Sequence, residues 1–505
     1  MKKMLSRLIA LCFCPYKKRV SATEMEITWP ADGLTLQEAY DKTAEDGTLT
    51  ILQGVHDVPE TLVIRKNITI TGEGTDRNEV VLKGGVENVF RVETGFAEIK
   101  NLTIKNEGDL RKPPEDAESE GESERKERFA FNALHSAVLV RSPLCGFENC
   151  LFTSETGIGF VVDQKDSAPI LTDCAAKNCG AAGFRISNGA CGKFTDCESS
   201  GNAFGIVVSN SGTNPTVEKC RSTNNQKAGI GVNSGASGTF TDCETSGNAL
   251  VGIMVQDSGA NPTVENCRST NNQQAGIAII QGASGTFTDC EASGNAWSGI
   301  LVRDSGTNPT VEKCRSTNNQ QGGIGVGDGA SGTFTDCEAS GNALSGIAVR
   351  DSGTNPTVEK CRFTNNQQTG IVVYDGASGT FTDCDASGNA LSGIEVCDSG
   401  TNPTVEKCRF TDNQGAGIYV CDGASGTFTD CEASGNAMSG IIVRDSDTNP
   451  TVEKCRFADN QRVGISLLLS ASGTFRNNTL SGNADGDWYV GSDCSPVRVG
   501  NTPNE

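Results

Sequence analysis

Seven aspartates stand 23 or 24 residues apart: Asp304, Asp328, Asp351, Asp375, Asp398, Asp422 and Asp445. Carboxylates repeated at that interval are candidate ligands for Ca²⁺, which gathers several oxygens. Most of them also open an Asp-Ser-Gly or Asp-Gly pair. There an aspartate caps the turn backbone, and this is the simpler reading; no other cofactor is implied. Cys397 and Cys421 are 24 residues apart, and the spacing fits a disulfide or two free thiols equally. An irregular stretch over 130–200 holds His135, Arg141, Glu148, Asp163, Lys165, Asp166 and Asp173. A unique catalytic cluster belongs there, yet no arrangement of acid and base emerges from the spacing. The chain has two histidines, His56 and His135, so a multi-histidine zinc centre is excluded.

The elements that position these residues follow from an internal repeat. Asn-Pro-Thr-Val-Glu-(Lys/Asn)-Cys begins at Asn214 and returns every 47 residues to Asn449. Ser-Gly-Thr-Phe-Thr-Asp-Cys lies between the copies. The two strings align, so each unit is two similar turns. Fourteen cysteines from Cys150 to Cys455 keep the 23- or 24-residue interval, and thirteen asparagines from Asn202 to Asn483 follow five residues behind that column. Each turn reads as three short strands separated by turn residues, such as Thr216-Val217-Glu218, Arg221-Ser222-Thr223 and Gly229-Ile230-Gly231-Val232. Helical and leucine-rich repeats lack support, since neither frame is present. The expected fold is all-β: a single-stranded right-handed parallel β-helix with rungs ~4.8 Å apart. Thiols then fill a narrow core, and stacked asparagine amides bond along the axis.

Register has its own signal. After successive cysteines stand Glu198, Arg221, Glu244, Arg268, Glu291, Arg315, Glu338, Arg362, Asp385, Arg409, Glu432 and Arg456. The sign alternates rung by rung. Opposite charges on neighbouring strands attract by about 0.2–1 kcal/mol and like charges repel, so a slip of one turn is penalised. Residues before the cysteines mostly alternate too, as in Lys313, Asp336, Lys360 and Asp383.

Two columns vary instead. In Gly-Ile-x-Val-z, Ile and Val share one face of the strand and x and z the other. With Ile and Val in the core, x and z form an outer strip that includes Met254, Gln256, Leu301, Arg303, Arg350, Val372, Tyr374, Glu395, Tyr419 and Arg444. A fixed frame with a varied strip suits a recognition surface. Relaxed drift at exposed sites gives the same picture, although the alternating charges drift far less.

Composition bounds the rest. Hydrophobic residues are 36% of 505, enough for a core, and aromatics are 6%. The net charge of −21 repels phosphate backbones, so nucleic acid is not an expected partner. No apolar run reaches the ~18–20 residues of a membrane span. Lys2, Lys3 and the apolar run 8–14 suit a short export signal, a lipid-anchored segment at Cys12 and Cys14, or a plain leader. The compartment therefore stays open between export and cytoplasm, and the pattern sets no oligomeric state. The chain divides into a leader or flexible segment over 1–33, a cap with first coils over 34–106, and an acidic disordered insert over 107–129. The repeat body covers 130–490 and a tail 491–505.

Turns of the form Val-x-x-Cys-x-Phe-x-x-Asn followed by Gly-Ile-x-Val, as in Val358 to Asn366 and Gly370 to Val373, resemble the pectin-lyase-like right-handed β-helix superfamily. The opening 36–74 is similar to the carbohydrate-binding and sugar-hydrolase branch, which includes NosD-type proteins; F-box β-helix proteins carry like turns. The resemblance covers 34–490. It implies the fold, and it spans lyases, hydrolases, epimerases, adhesins and adaptors. A lyase of this superfamily needs Ca²⁺-binding acids beside a basic residue, and a glycosidase needs two opposed carboxylates. Near-identical repeats single out neither. The expectation is a non-catalytic protein that presents its variable strip to a polysaccharide or a protein surface. A polysaccharide lyase, hydrolase or epimerase is the alternative.

Overall fold

The computed structural model describes residues 23–30, 33–108 and 135–502. Residues 1–22 of the leader segment and most of the acidic insert lie outside the described residues. The wound body is a right-handed parallel β-helix of about 19 coils, with about 23 residues per coil. Three parallel sheets of 20, 18 and 18 strands run along it, here called A, B and C. Each coil contributes one strand to each sheet, as in Thr357–Glu359, Arg362–Thr364 and Ile371–Tyr374.

Short strands form because Thr, Val, Phe and Arg alternate between faces and left-handed bends stop them. The residue before each cysteine takes a positive φ, such as +52° at Lys313 and +53° at Asp336. This position is the corner between sheets A and B. The charge ladder expected there is secondary. Lys313 pairs first with Glu312 in its own coil at 2.7 Å, while Asp289 and Asp336 on flanking coils add attraction.

A second corner alternates Asn and Gly, as at Asn271 and Gly294, with φ of +54° and +66°. A Cβ on Gly294 would stand 2.6 Å from Asn271 Oδ1. The asparagine side chain therefore lies over the next coil and demands glycine there, which is one physical reason for a two-coil repeat.

The core supplies another reason. Inward positions of sheet A alternate Phe334, Val358, Phe381 and Val405, and sheet B answers with Ala339, Phe363, Ala386 and Phe410, all fully buried. From Phe334 to Phe410 large is matched to small within each coil, as close packing requires. Earlier coils place Ser222, Ser269 and Ser316 where later ones place phenylalanine. Each hydroxyl donates to a glycine carbonyl, as in Ser316 Oγ to Gly323 O at 2.7 Å.

The fourteen cysteines lie in one buried file. Each Sγ sits against a carbonyl of the coil before, as in Cys337 Sγ to Val311 O at 3.4 Å. Burial pushes the Cys174 thiol well above its ordinary pKa. The asparagines form the expected ladder: Asn319 N and Nδ2 both donate to Asn342 Oδ1 at 3.0 Å. That geometry satisfies buried amides that water cannot reach.

The ends differ from the sequence-based boundaries. Glu24–Trp29 lies in the segment read as a leader and pairs with the strand Thr43–Ile51. Ser495–Val499 lies in the segment read as a tail and pairs with Ser472–Arg476. Both carry period-two patterns too short to stand out without a repeat frame. The helix Leu36–Lys42 closes one end behind a Thr35–Glu38 capping box. At the other end Trp488 packs on Phe475 and under Arg498, whereas Tyr489 remains exposed.

Candidate functional site

Sheet C carries the varied positions. From Ile230–Asn233 to Ile465–Leu468 each of its strands begins after a glycine with no room for a side chain; a Cβ on Gly299, for one, would collide with Ser316 Oγ. The close approach fixes the strand against its neighbours and holds Ile300 and Val302 in the core at 1% and 0% exposure. Leu301 and Arg303 then face outward, as do Met254 with Gln256, Val372 with Tyr374, and Glu395, Tyr419 and Arg444. Register stacks them directly: Ala348 on Val372, Val372 on Glu395, Glu395 on Tyr419, and Arg350 on Tyr374.

This face is concave. A groove of about 690 Å³ runs across the coils from Leu301 to Glu395. Leu301, Gly325, Ala348, Val372 and Glu395 form its floor, with Arg303, Arg350 and Tyr374 beside them. Gly325 and Gly327 deepen the middle. One wall was not anticipated. Leu250, Trp297, Leu344, Leu391 and Met438 are 47 residues apart and 37–48% exposed, and the three central ones line the groove. The signal was present in the sequence after each Gly-Asn-Ala, but it appears only when whole 47-residue units are compared, since alternate coils carry glutamine or glycine there.

The arginines are held by acids that follow them. Arg350 Nε lies 3.6 Å from Asp351 and Arg444 Nε 3.1 Å from Asp445; Arg444 Nη1 also donates to Tyr419 Oη at 3.2 Å. The aspartate column occupies left-handed turns, with φ of +51° to +75° from Asp304 to Asp445. Alternate members cap the coil before: Asp304, Asp351 and Asp398 each accept a backbone N–H at 3.0–3.2 Å. Among the described residues these carboxylates do not converge in threes.

Glu395 is different. Burial, reinforced by Asp422, pushes its carboxyl above the usual range, opposed by a 3.1 Å hydrogen bond from Thr369. Cys397 and Cys421 beside it are joined as a disulfide.

The irregular stretch brings together two of its seven candidates. Arg141 Nη2 pairs with Asp163 Oδ2 at 3.0 Å, and Asn188 Nδ2 donates to Asp163 Oδ1 at 2.6 Å. Sequence reasoning missed Arg185, on the same face and next to Asp163; burial pulls its pKa down and Asp163 opposes that. Glu148 lies on sheet A with Lys100, and His135 stands just before the strand Ser136–Val140. Asp166 and Asp173 occupy left-handed bends. Lys165 packs its stem near Gly189.

A family model described as right handed beta helix region matches residues 132–286, 205–360 and 345–502. No curated protein matches the sequence. Solved structures give likenesses of low identity. The A-module of mannuronan C-5 epimerase AlgE4 from Azotobacter vinelandii is 11% identical, with 89% of this chain and 88% of that one covered and a TM-score of 0.23. The PL6 family alginate lyase AlyGC is 9% identical over 95% and 99%, with a TM-score of 0.33. Vag8, in its complex with C1 inhibitor, is 12% identical over 90% and 98%, with a TM-score of 0.35. No described helix is long and apolar enough to cross a membrane.

Proposed function

We propose that this chain, which belongs to the right-handed β-helix family, is a non-catalytic recognition solenoid whose sheet C face binds an extended polysaccharide. One observation carries the reading. The varied strip and the exposed apolar column, two independent features of the sequence, line the same groove. Trp297, Tyr374, Leu344 and Leu391 offer flat or apolar surface, and Arg303, Arg350 and the flanking glutamines offer hydrogen bonds. Such a mixture suits a ligand with apolar faces and many hydroxyls. The groove follows the solenoid axis, so the ligand is a chain rather than a compact molecule.

The non-catalytic half of the proposal rests on the charged groups. Cleavage of a glycosidic bond by general acid and base needs two opposed carboxylates; the cluster at Arg141, Asp163 and Arg185 offers one, and the groove's Glu395 and Asp398 stand three residues apart on one coil rather than on facing walls. The test is a polysaccharide array probed with wild-type protein and with the Trp297→Ser/Tyr374→Ser double variant. The proposal expects retention of an extended glycan by wild type, unchanged in length after incubation, and loss of retention in the variant. Shortened products, unsaturated or not, with or without Ca²⁺, would instead establish the lyase or hydrolase class, and a changed ratio of uronate epimers at unchanged length the epimerase class. Retention of proteins alone would make the ligand a protein surface.

A further inference from the structure

Between Val207 and Ile442 the x column holds one charged residue, Glu395. It stands next to the two cysteines of the z column, Cys397 and Cys421. An acid and two thiols thus enter the array together, in two consecutive coils and on one face. The structure explains their neighbourhood but not their chemistry. A disulfide is uncharged and needs no carboxylate, yet Cys397 Sγ lies 3.7 Å from Glu395 Oε1. The carboxylate and both sulfurs all lie within 4.8 Å of one another. Cys421 is 3% exposed, while Glu395 and Cys397 are half-buried at the groove. Asp398 shares the groove lining and Asp422 follows Cys421, while Arg303, Arg350 and Arg444 on the same face are each paired with the aspartate that follows them, so the acids beside the sulfurs favour a cation.

We infer that Glu395, Cys397 and Cys421 form a redox-gated site for one thiophilic divalent cation of the zinc class. The site is closed while the sulfurs are bonded to each other and opens when they are separated. A dithiol reductant supplies the two electrons and two protons. The S–S bond breaks, two thiols form, and the reductant leaves as its own disulfide. The cation then displaces both thiol protons to water and takes two thiolate sulfurs and one Glu395 oxygen, with water in the fourth position. Soft sulfur selects this class of ion over Ca²⁺ or Mg²⁺. A tetrahedral ion with sulfurs at ~2.3 Å holds them about 3.8 Å apart. The Cα atoms are 4.7 Å apart on adjacent coils, so rotation about the two Cα–Cβ bonds opens that separation without moving the backbone. Two-electron oxidation by a peroxide reverses the process: the disulfide re-forms, the peroxide is reduced to water or alcohol, and the cation departs.

The test uses the full chain and cobalt as the probe. The protein is reduced with dithiothreitol, freed of it without air, and titrated with Co²⁺ while the sulfur-to-cobalt charge-transfer absorption is followed. The expected result is one equivalent bound by reduced wild type and none by the same protein left oxidised. The Cys397→Ser/Cys421→Ser variant should lose the band although its other thiols remain. Glu395→Gln should keep the band with at least about tenfold weaker binding. The comparison of reduced and oxidised wild type needs no variant to fold. Equal spectra from those two samples overturn the inference, and wild-type affinity in Glu395→Gln overturns the carboxylate ligand. Neither outcome bears on whether the groove binds a glycan.

Discussion

The outer faces of sheets B and C meet the same solvent and keep the same rhythm, yet they follow different rules. On sheet B the outward position after the cysteine alternates acid and arginine from Glu198 to Arg456, and the register places each against its opposite: Glu338 on Arg362, Arg409 on Glu432. Some of these pairs close, with Arg362–Glu338 at 3.4 Å and Arg456–Glu432 at 2.6 Å. On sheet C the outward positions run from Gly325 through Leu301 to Tyr419 and Glu395. Exposure alone would loosen both faces alike. One face is tied because its charges help hold the coils in step; the other is free to vary, and it is concave. The difference teaches that, of these two outer faces, the concave one varies and the one carrying the charge ladder does not.

The contrast can be broken or sharpened by substitution. Both faces presume one shared interior, so the largest effect lies there. Phe334→Ala should cost about 3–5 kcal/mol in urea unfolding. Because coils contact only their neighbours, hydrogen exchange should quicken first around residues 311–358; uniform quickening would break the picture of stacked coils. Asn342→Ala leaves Asn319 N and Nδ2 without their acceptor and should cost about 1–3 kcal/mol. On sheet B, Glu338→Arg sets like charge between Arg315 and Arg362. It should cost about 0.2–1 kcal/mol per neighbour, and the loss should shrink in molar salt. On sheet C, Val372→Ala should stay within about 0.5 kcal/mol of wild type, and a cost above that of Glu338→Arg would erase the distinction between the faces.

The smallest effect is a pH dependence at the head of sheet C. Partial burial holds the His135 imidazole below its usual pKa, and Glu87 opposes the shift. A base with a depressed folded-state pKa binds fewer protons folded than unfolded. Its share of stability is therefore present above the ordinary histidine range and is lost as pH falls through that range. Thermal unfolding of His135→Gln from pH 8 to pH 5 should show a shallower acid loss than wild type.

Much of this was legible because repetition exposes columns. The cysteine file, the asparagine ladder and the inward Ile and Val of sheet C follow from position alone. Conformation was less visible. Lys313 and Lys360 look like members of a charge ladder, but they occupy left-handed corners, a backbone state that lysine does not advertise. The apolar wall at Trp297, Leu344 and Leu391 was hidden by its doubled period. Arg185 was missed because its partner Asp163 lies one coil away, outside the strict repeat. The strands Glu24–Trp29 and Ser495–Val499 lack the repeat altogether, and pairing rather than pattern defines them.

The central claim is that the outer face of sheet C, and not that of sheet B, engages the ligand. The direct measurement is retention on immobilised polysaccharides of three proteins: wild type, Trp297→Ser/Tyr374→Ser, and Arg362→Ala/Arg409→Ala. The account predicts that wild type and the sheet B variant are retained alike while the sheet C variant passes through. Retention of the sheet C variant at the wild-type level, or a wild-type protein that no polysaccharide holds back, contradicts it.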